Sequence, residues 1–280
     1  MPEYPEVTVV RKSLNNYVKN RFITKIEVKV PKLIKNTNQE NFVNFLLNEQ
    51  VLDVENFGKF LVFNLKSKKR LISHLRMSGK YFIRQENDPN LYAYKHDCIY
   101  FFLDNQNVVV YNDSRMFGSF EIINSDDLRS LYEIKKLAQL PRDVDVKILF
   151  NKIKNKNISI KKVLLDQSLV LGIGNIYADE SLFASKIYPM KKAKDVTLQE
   201  LKTILNHAQN IMDKSIELGG SSVQTYSSVN GITGKFQNNL MVYSKHDQLC
   251  QVCKQEKIVK VKLDFKENGR GTSYCPKCQN

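Results

Sequence analysis

Residues 158–189, ISIKKVLLDQSLVLGIGNIYADESLFASKIYP, decide how the second half of the chain folds. Ser159 to Leu165 reads as a short helix. Asp166 to Gly174 turns tightly through Gly172 and Gly174, and a second helix runs from Asn175 to about Ser185. A helix entered through Gly-x-Gly-Asn offers its first backbone N–H groups, together with the Asn175 side chain, to a phosphate. A helix hairpin packed only for structural reasons has the same pattern, so this stretch alone leaves both readings open.

Toward the C-terminus, Thr197-Leu198-Gln199-Glu200 is a capping box. It opens a long amphipathic helix through Leu201, Ile204, Leu205, Ala208, Ile211 and Met212 that ends at Gly219-Gly220. From Gly219 to Phe236 the chain is rich in Gly, Ser, Thr and Asn and has no period, which reads as a functional loop or as a tether to the tail. Two C-x-x-C pairs follow, Cys250 with Cys253 and Cys275 with Cys278, separated by 21 residues. That spacing makes a tetrahedral four-thiolate site for one Zn2+. Four thiolates leave no open position for water, so the metal is structural. The intervening Lys257 to Asp264 and Gly271 to Tyr274 read as a hairpin. Its Gly269-Arg270-Gly271-Thr272 turn holds out a guanidinium that can grip phosphate.

Toward the N-terminus the period changes. Val146, Leu149, Phe150 and Ile153 are helical, as are Leu128, Leu131 and Tyr132 before Pro141. Residues 22 to 123 read mostly as strands: Ile23 to Val30, Phe57 to Leu65, Leu71 to Ile83, Ile99 to Leu103, Val108 to Tyr111 and Gly118 to Ile123. One short helix, Glu40 to Leu47, interrupts them. Short turns between strands predict a β-sandwich or barrel. The run Lys66 to Arg70 fits a solvated hairpin loop. In His74 to Gly79 and Asn112 to Gly118, Met77 and Phe117 lie beside arginines. Exposed, they could wedge between bases of kinked DNA, with Arg115 reaching a base edge. Their spacing alone favours a place in the core.

The chain opens Met1-Pro2-Glu3-Tyr4-Pro5-Glu6, and Val7, Val10, Leu14 and Tyr17 then recur as one helical stripe. Taken alone, the six residues favour a helix start, with Pro5 in the first turn and Glu6 at the positive end. They also carry chemistry. Met1 before a small residue is expected to be removed, leaving Pro2 as a free secondary amine. An α-amino group titrates near ~8 rather than the ~10.4 of lysine. Its unprotonated form attacks electrophilic carbon and forms iminium ions, and Glu3 beside it can move protons.

Lys and Arg number 43 against 29 Asp and Glu, a net charge of +14, which points to a polyanion, with nucleic acid first. No run reaches the ~18 apolar residues of a membrane span, and the N-terminus has no apolar signal region, so the expected place is the cytoplasm. Cys98 falls in a strand and reads as a core thiol.

Taken in order, these motifs resemble the formamidopyrimidine-DNA glycosylase family along essentially the whole chain. The likeness rests on Pro-Glu-x-Pro-Glu, Phe57-Gly58-Lys59, His-Leu-Arg-Met-Ser-Gly and Asp-x-Arg-x-Phe-Gly. It continues through Leu165-Asp166 and Gly-Ile-Gly-Asn-Ile-Tyr-Ala-Asp-Glu to Gly-Gly-Ser-Ser and a finger with Gly-Arg-Gly-Thr. The resemblance implies an α+β multidomain protein: a catalytic β-sandwich over 2–126, a helix-two-turns-helix DNA-binding domain over 127–236 and a zinc finger over 237–280, with damaged duplex DNA between lobes. It implies a bifunctional glycosylase and abasic-site lyase that excises oxidised purines and cuts the strand by β,δ-elimination. Pro2 would be the nucleophile, Glu3 the acid/base partner, Glu6 a support and Lys59 the active-site lysine. His96, Arg115, Asn175 and Asn157 would contact DNA. Met77, Arg115 and Phe117 would fill the gap left by the flipped nucleotide, and loop 219–236 would close over the base. Arg270 would hold phosphate and assist the second elimination. One structural Zn2+ and no redox cofactor are implied, in a monomer working at nucleoid DNA. Three positions depart from the family pattern: Ser114 stands for a proline, Met116 for a basic residue, and the finger hairpin is about five residues longer. The rival readings are an endonuclease VIII-like enzyme for oxidised pyrimidines, a non-catalytic zinc-containing DNA-binding protein, and a basic RNA-binding protein.

Overall fold

Strands with apolar residues at period two need a second apolar face to cover them, and the N-terminal half folds back to supply it. The computed structural model describes residues 2–222 and 229–279. Strands β1 (Ile23–Val28), β5 (Lys80–Gln85), β6 (Asp97–Leu103) and β7 (Asn107–Asn112) form one sheet in the order β1-β6-β7-β5. Strands β2 (Val51–Phe57), β3 (Phe60–Leu65), β4 (Arg70–His74) and β8 (Ser119–Ile123) form the other, in the order β2-β3-β4-β8. Every pairing in both is antiparallel. The core lies between them, where Ile99, Phe101 and Tyr111 meet Leu61, Phe63 and Phe120. Tyr111 stands edge-on to Phe120 at 4.8 Å. Helices α1 (Tyr4–Val18) and α2 (Gln39–Leu46) add Val7, Val10, Leu14 and Phe42 to the same core. Strand β6 is buried on both faces, because Leu91 covers Tyr100 and Phe102 on the far side.

Two expected strands divide. Phe57 to Leu65 is the end of β2 and the whole of β3, joined by the two-residue turn Gly58-Lys59. Gly58 adopts φ +58°, the conformation that a hairpin turn of this kind asks of its first central residue. Leu71 to Ile83 is β4 and β5, which belong to different sheets, and the chain crosses over in the turn 75–79. Lys69 and Arg70, expected in a solvated loop, are tied down instead: Lys69 pairs with Glu49 at 2.9 Å, and Arg70 donates to the Asp127 and Arg129 carbonyls.

The rest of the described chain is helical apart from one hairpin. Helices α3 (Leu131–Lys135), α4 (Val146–Ile153), α5 (Ile160–Leu165), α6 (Asn175–Ala184) and α7 (Leu198–Glu217) precede strands β9 (Val259–Lys262) and β10 (Gly271–Tyr274). Leu128 is exposed and stands outside α3. The reciprocal cap of α7 forms as expected: Glu200 N donates to Thr197 Oγ1 at 3.1 Å and Thr197 N to Glu200 Oε2 at 2.8 Å. Helix α6 is buried from Ile176 to Phe183, including Asp179, Glu180 and Ser181.

Contacts divide the chain into two compact units, Met1–Ser130 with Leu218–Lys235, and Leu131–Glu217 with Phe236–Asn280. The segment after α7 therefore groups with the sandwich. Val229 is buried in the sandwich core, and Asn230 Oδ1 accepts from Ile83 N at 2.7 Å on β5.

Candidate active site and nucleic-acid interface

The two readings of the first six residues turn out to be compatible. Glu3 is the N-cap of α1, and it forms a capping box with Glu6: each side chain accepts from the other residue's backbone N–H. Glu3 N donates to Glu6 Oε2 at 2.9 Å. The second oxygen of Glu6 accepts from Ser221 N at 2.9 Å, on the segment that returns from α7. One buried carboxylate thus holds both the residue after Pro2 and the stem of the loop 219–236. That stem is closed by Lys235 N to Leu218 O at 2.9 Å and Gly234 N to Ser222 Oγ at 2.7 Å. Residues 223–228 of the expected capping loop lie outside the described residues. Pro2, Glu3 and Glu6 are all buried. Lys59 is also buried, in the β2–β3 turn.

A second constellation joins two turns through Asp113, which is wholly buried. Its Oδ2 accepts from Phe117 N at 3.0 Å and Gly118 N at 2.8 Å, and its Oδ1 from Arg115 N at 3.1 Å and from the Ser78 hydroxyl. Ser78 in turn accepts from Arg115 N at 3.2 Å. The turn 75–79 and the turn 113–118 are thereby locked side by side. Both close against Tyr111: a Cβ on Gly79 or Gly118 would fall 2.2 or 1.8 Å from its hydroxyl. Burial pushes that hydroxyl's pKa far up, so it stays neutral.

The paired turns place Met77 36% and Phe117 55% exposed, with the Arg115 guanidinium 4.7 Å over the Phe117 ring. The core placement favoured by spacing does not hold for either residue. Met116, between Arg115 and Phe117, takes φ +53° and turns inward against the sandwich core. An apolar residue stands there because that position faces protein. His96 is exposed at φ +71°, and its carbonyl accepts from Asp113 N at 2.9 Å.

In the helical unit, Gln167 pins the turn between α5 and α6. Its amide donates to Ile173 O at 2.9 Å and accepts from Gly172 N at 2.9 Å. Asn175, the first residue of α6, donates through Nδ2 to Gly271 O at 2.9 Å, next to the exposed Arg270. Asn157 is exposed between α4 and α5. Four residues further on, Lys161 is fully buried and pairs with Asp179 at 2.6 Å. Lys161 Nζ also donates to Thr272 Oγ1 at 3.0 Å and Gly271 O at 3.1 Å, while Asp179 Oδ2 accepts from Ser273 N at 3.0 Å. Burial pushes the Asp179 carboxyl upward, and Lys161 opposes it. A second buried carboxylate, Glu180, accepts from the backbone N–H groups of Met241, Val242 and Tyr243. Sequence reasoning missed this network. Its signal was an acidic pair inside a helix with no polar face.

The four cysteines converge with their sulfurs all within 4.8 Å of one another. Cys250 and Cys278 are 3.8 Å apart and Cys253 and Cys275 3.7 Å. These separations are too long for disulfides and match the roughly 3.8 Å edge of a tetrahedron with metal–sulfur bonds of about 2.3 Å. The site fits a metal ion. Its base is apolar, with Cys250 and Cys275 clustered against Phe183, Val242 and Ile258.

Two family models match the chain: the formamidopyrimidine-DNA glycosylase N-terminal domain over residues 1–120 and the H2TH domain over residues 137–227. The formamidopyrimidine-DNA glycosylase of Mycoplasmopsis pulmonis is 44% identical over 280 residues, covering 100% of this chain and 98% of the relative. That of Listeria monocytogenes is 39% identical, covering 100% of both. Among solved structures, the Lactococcus lactis Fpg in complex with an abasic site containing DNA aligns with a TM-score of 0.90 at 36% identity, covering 100% of both chains. MutM in complex with carbocyclic 8-oxo-G containing DNA aligns with a TM-score of 0.89 at 36% identity, again over 100% of both.

Proposed function

The chain belongs to the formamidopyrimidine-DNA glycosylase family, and on that footing we propose that it is a bifunctional DNA glycosylase and abasic-site lyase for oxidised purines in base excision repair. The observation that carries the site assignment is Glu6, whose two carboxylate oxygens hold Glu3 N and Ser221 N. A hold of this kind fixes the first residues of the mature chain, and a backbone amine needs fixing more than a side chain does, because it has no rotamer of its own.

Once Met1 is removed, the Pro2 nitrogen uses its lone pair to attack C1′ of the flipped nucleotide, and the C1′–base bond breaks. The C1′–O4′ bond then opens toward an iminium, with Glu3 supplying the proton to O4′. The iminium draws electrons, so the C2′ proton is lost and the 3′ phosphate leaves. Loss of the C4′ proton then expels the 5′ phosphate, and water releases the sugar fragment from Pro2. The product is a one-nucleoside gap. Lys59 serves the proton transfers and the phosphates. Asn175 and Arg270 hold the phosphates that flank the lesion. His96 and Asn157 are assigned to further DNA contacts. Met77, Arg115 and Phe117 occupy the space the flipped nucleotide vacates. Cys250, Cys253, Cys275 and Cys278 would hold one structural Zn2+, which fixes the finger and takes no part in bond breaking. The protein acts as a monomer on duplex DNA in the cytoplasm. Among the described residues no helix is long and apolar enough to cross a membrane.

Lesion choice tests the reading. Duplexes carrying 8-oxoguanine opposite cytosine are expected to be cut faster than duplexes carrying thymine glycol opposite adenine. Faster cutting of the glycol would move the chain to the oxidised-pyrimidine activity. The wedge is tested separately. Phe117 is exposed, so Phe117→Ala is expected to leave stability within about 0.5 kcal/mol. Flipping costs a few kcal/mol, so losing part of the wedge should slow single-turnover excision by roughly tenfold or more. Unchanged excision from an intact duplex would remove Phe117 from the wedge.

A further inference from the structure

Arg270 is exposed, on a turn of the finger hairpin, yet a phosphate grip needs a fixed backbone beneath the guanidinium. The fixing comes from an unexpected direction. The Arg270 carbonyl accepts from Leu263 N at 2.8 Å and from the Thr272 hydroxyl at 3.2 Å. That hydroxyl itself accepts from Lys161 Nζ at 3.0 Å, and Lys161 is paired with Asp179 at 2.6 Å, both wholly buried. The other oxygen of Asp179 takes Ser273 N, and Lys161 and Asn175 both donate to Gly271 O. Three consecutive residues after Arg270 are therefore held by side chains of α5 and α6. Across the turn, Gly269 packs so tightly that a Cβ would fall 2.4 Å from Leu263 O.

Buried ion pairs are seldom net stabilisers compared with apolar residues of similar size, so this one calls for another role. We propose that Asp179, Lys161 and Thr272 form a buried relay that positions Arg270 against phosphate, with Asn175 sharing its anchor at Gly271. The three are positioning residues and touch no substrate. The relay joins the helix-turn-helix segment to the finger, so the two candidate phosphate ligands are set by one network. This inference rests on reading Arg270 as a phosphate ligand.

A double-mutant cycle separates the two claims. The full-length, metal-loaded protein is titrated with a duplex carrying a tetrahydrofuran abasic analogue, across a range of salt. Arg270→Ala is expected to weaken binding about tenfold and to lower the salt slope by about 0.9, one phosphate contact. Thr272→Val keeps the ion pair and the side-chain shape but breaks the relay. It is expected to lower affinity and slope in the same direction, with normal metal content and melting, and Thr272→Ser should restore both. With Arg270→Ala already present, Thr272→Val should add nothing. Wild-type affinity and slope for Thr272→Val, or additive losses in the double variant, would overturn the relay and leave Arg270 standing. An Arg270→Ala variant that binds normally would overturn both. If Thr272→Val loses metal, the pair Lys161→Met with Asp179→Leu leaves no buried charge unpaired and answers the same question. Losses like those of Arg270→Ala support the relay, and wild-type values overturn it.

Discussion

Chains carrying Pro2→Gly are expected to bind a damaged duplex with near-normal affinity and to leave no covalent adduct on borohydride reduction. Base release and strand cleavage should fall together, by on the order of 10⁴-fold or more, the scale of losing a covalent nucleophile, because Gly leaves only an unconstrained primary amine where the ring held a secondary one. Both fall because one nitrogen serves both steps: it displaces the base and then remains as the iminium that makes the C2′ proton acidic. A chain that retains Met1 should behave the same way, since its Pro2 nitrogen is an amide without a free lone pair. Stability should change little. Pro2 precedes the N-cap, and the capping box of Glu3 and Glu6 is left intact. Gel analysis after reduction, together with a binding titration, separates the outcomes. An adduct of normal yield from the chain that retains Met1 would show that another amine does the chemistry, and Lys59 would then be examined first.

The second large effect concerns the finger. Stripping the metal with a chelator, or replacing Cys253 by Ser, should abolish strand cleavage at protein concentrations that suffice for the native chain. The sulfurs of Cys253 and Cys275 lie 3.7 Å apart. Without a cation, thiolates at that distance repel, and structural zinc supplies apparent folding free energy of about 10–16 kcal/mol in small fingers. The hairpin β9–β10 carries Arg270, and losing its charge-assisted hydrogen bonds alone costs about 1.5–3 kcal/mol, or ~10- to 150-fold in affinity. The sandwich draws on a separate core and should keep its β-sheet circular dichroism signal. Elemental analysis is expected to find one zinc per chain. A metal-free chain that still binds and cuts the duplex normally would sink the structural-zinc assignment.

What could be read in advance divides along physical lines. The helices α4 to α7 and the cysteine pairs were legible because their signals are local: a 3.6-residue period, a capping box, a ligand spacing. The β2–β3 turn was not. Gly58-Lys59 sits inside a run whose apolar residues continue on both sides, so nothing local marks the reversal except one glycine. Met77, Met116 and Phe117 were equally opaque. All three are apolar beside arginines, and their exposure depends on Asp113, whose carboxylate fixes which way each turn faces. Lys161 carries no local sign of burial, since Lys154, Lys156 and Lys162 stand near it in the sequence. Its burial depends on Asp179 and Thr272, which lie 18 and 111 residues away in the sequence. The resemblance placed the candidate chemistry on Pro2, Glu3 and Lys59, but it gave no sign that Glu6 reaches Ser221.

That reach sets a timetable for synthesis. The hydrogen bond from Ser221 to Glu6 spans 215 residues, and the sandwich takes its last core residue, Val229, from the same returning segment. A ribosome moving at about 5–20 residues per second must make all of Leu131–Glu217 before that segment emerges, a delay on the order of 10 s. Throughout that interval the N-terminal amine is already outside the tunnel, but half of its clamp does not yet exist. Because its holder is completed late, the nucleophile is assembled only when the rest of the polymer is present to use it.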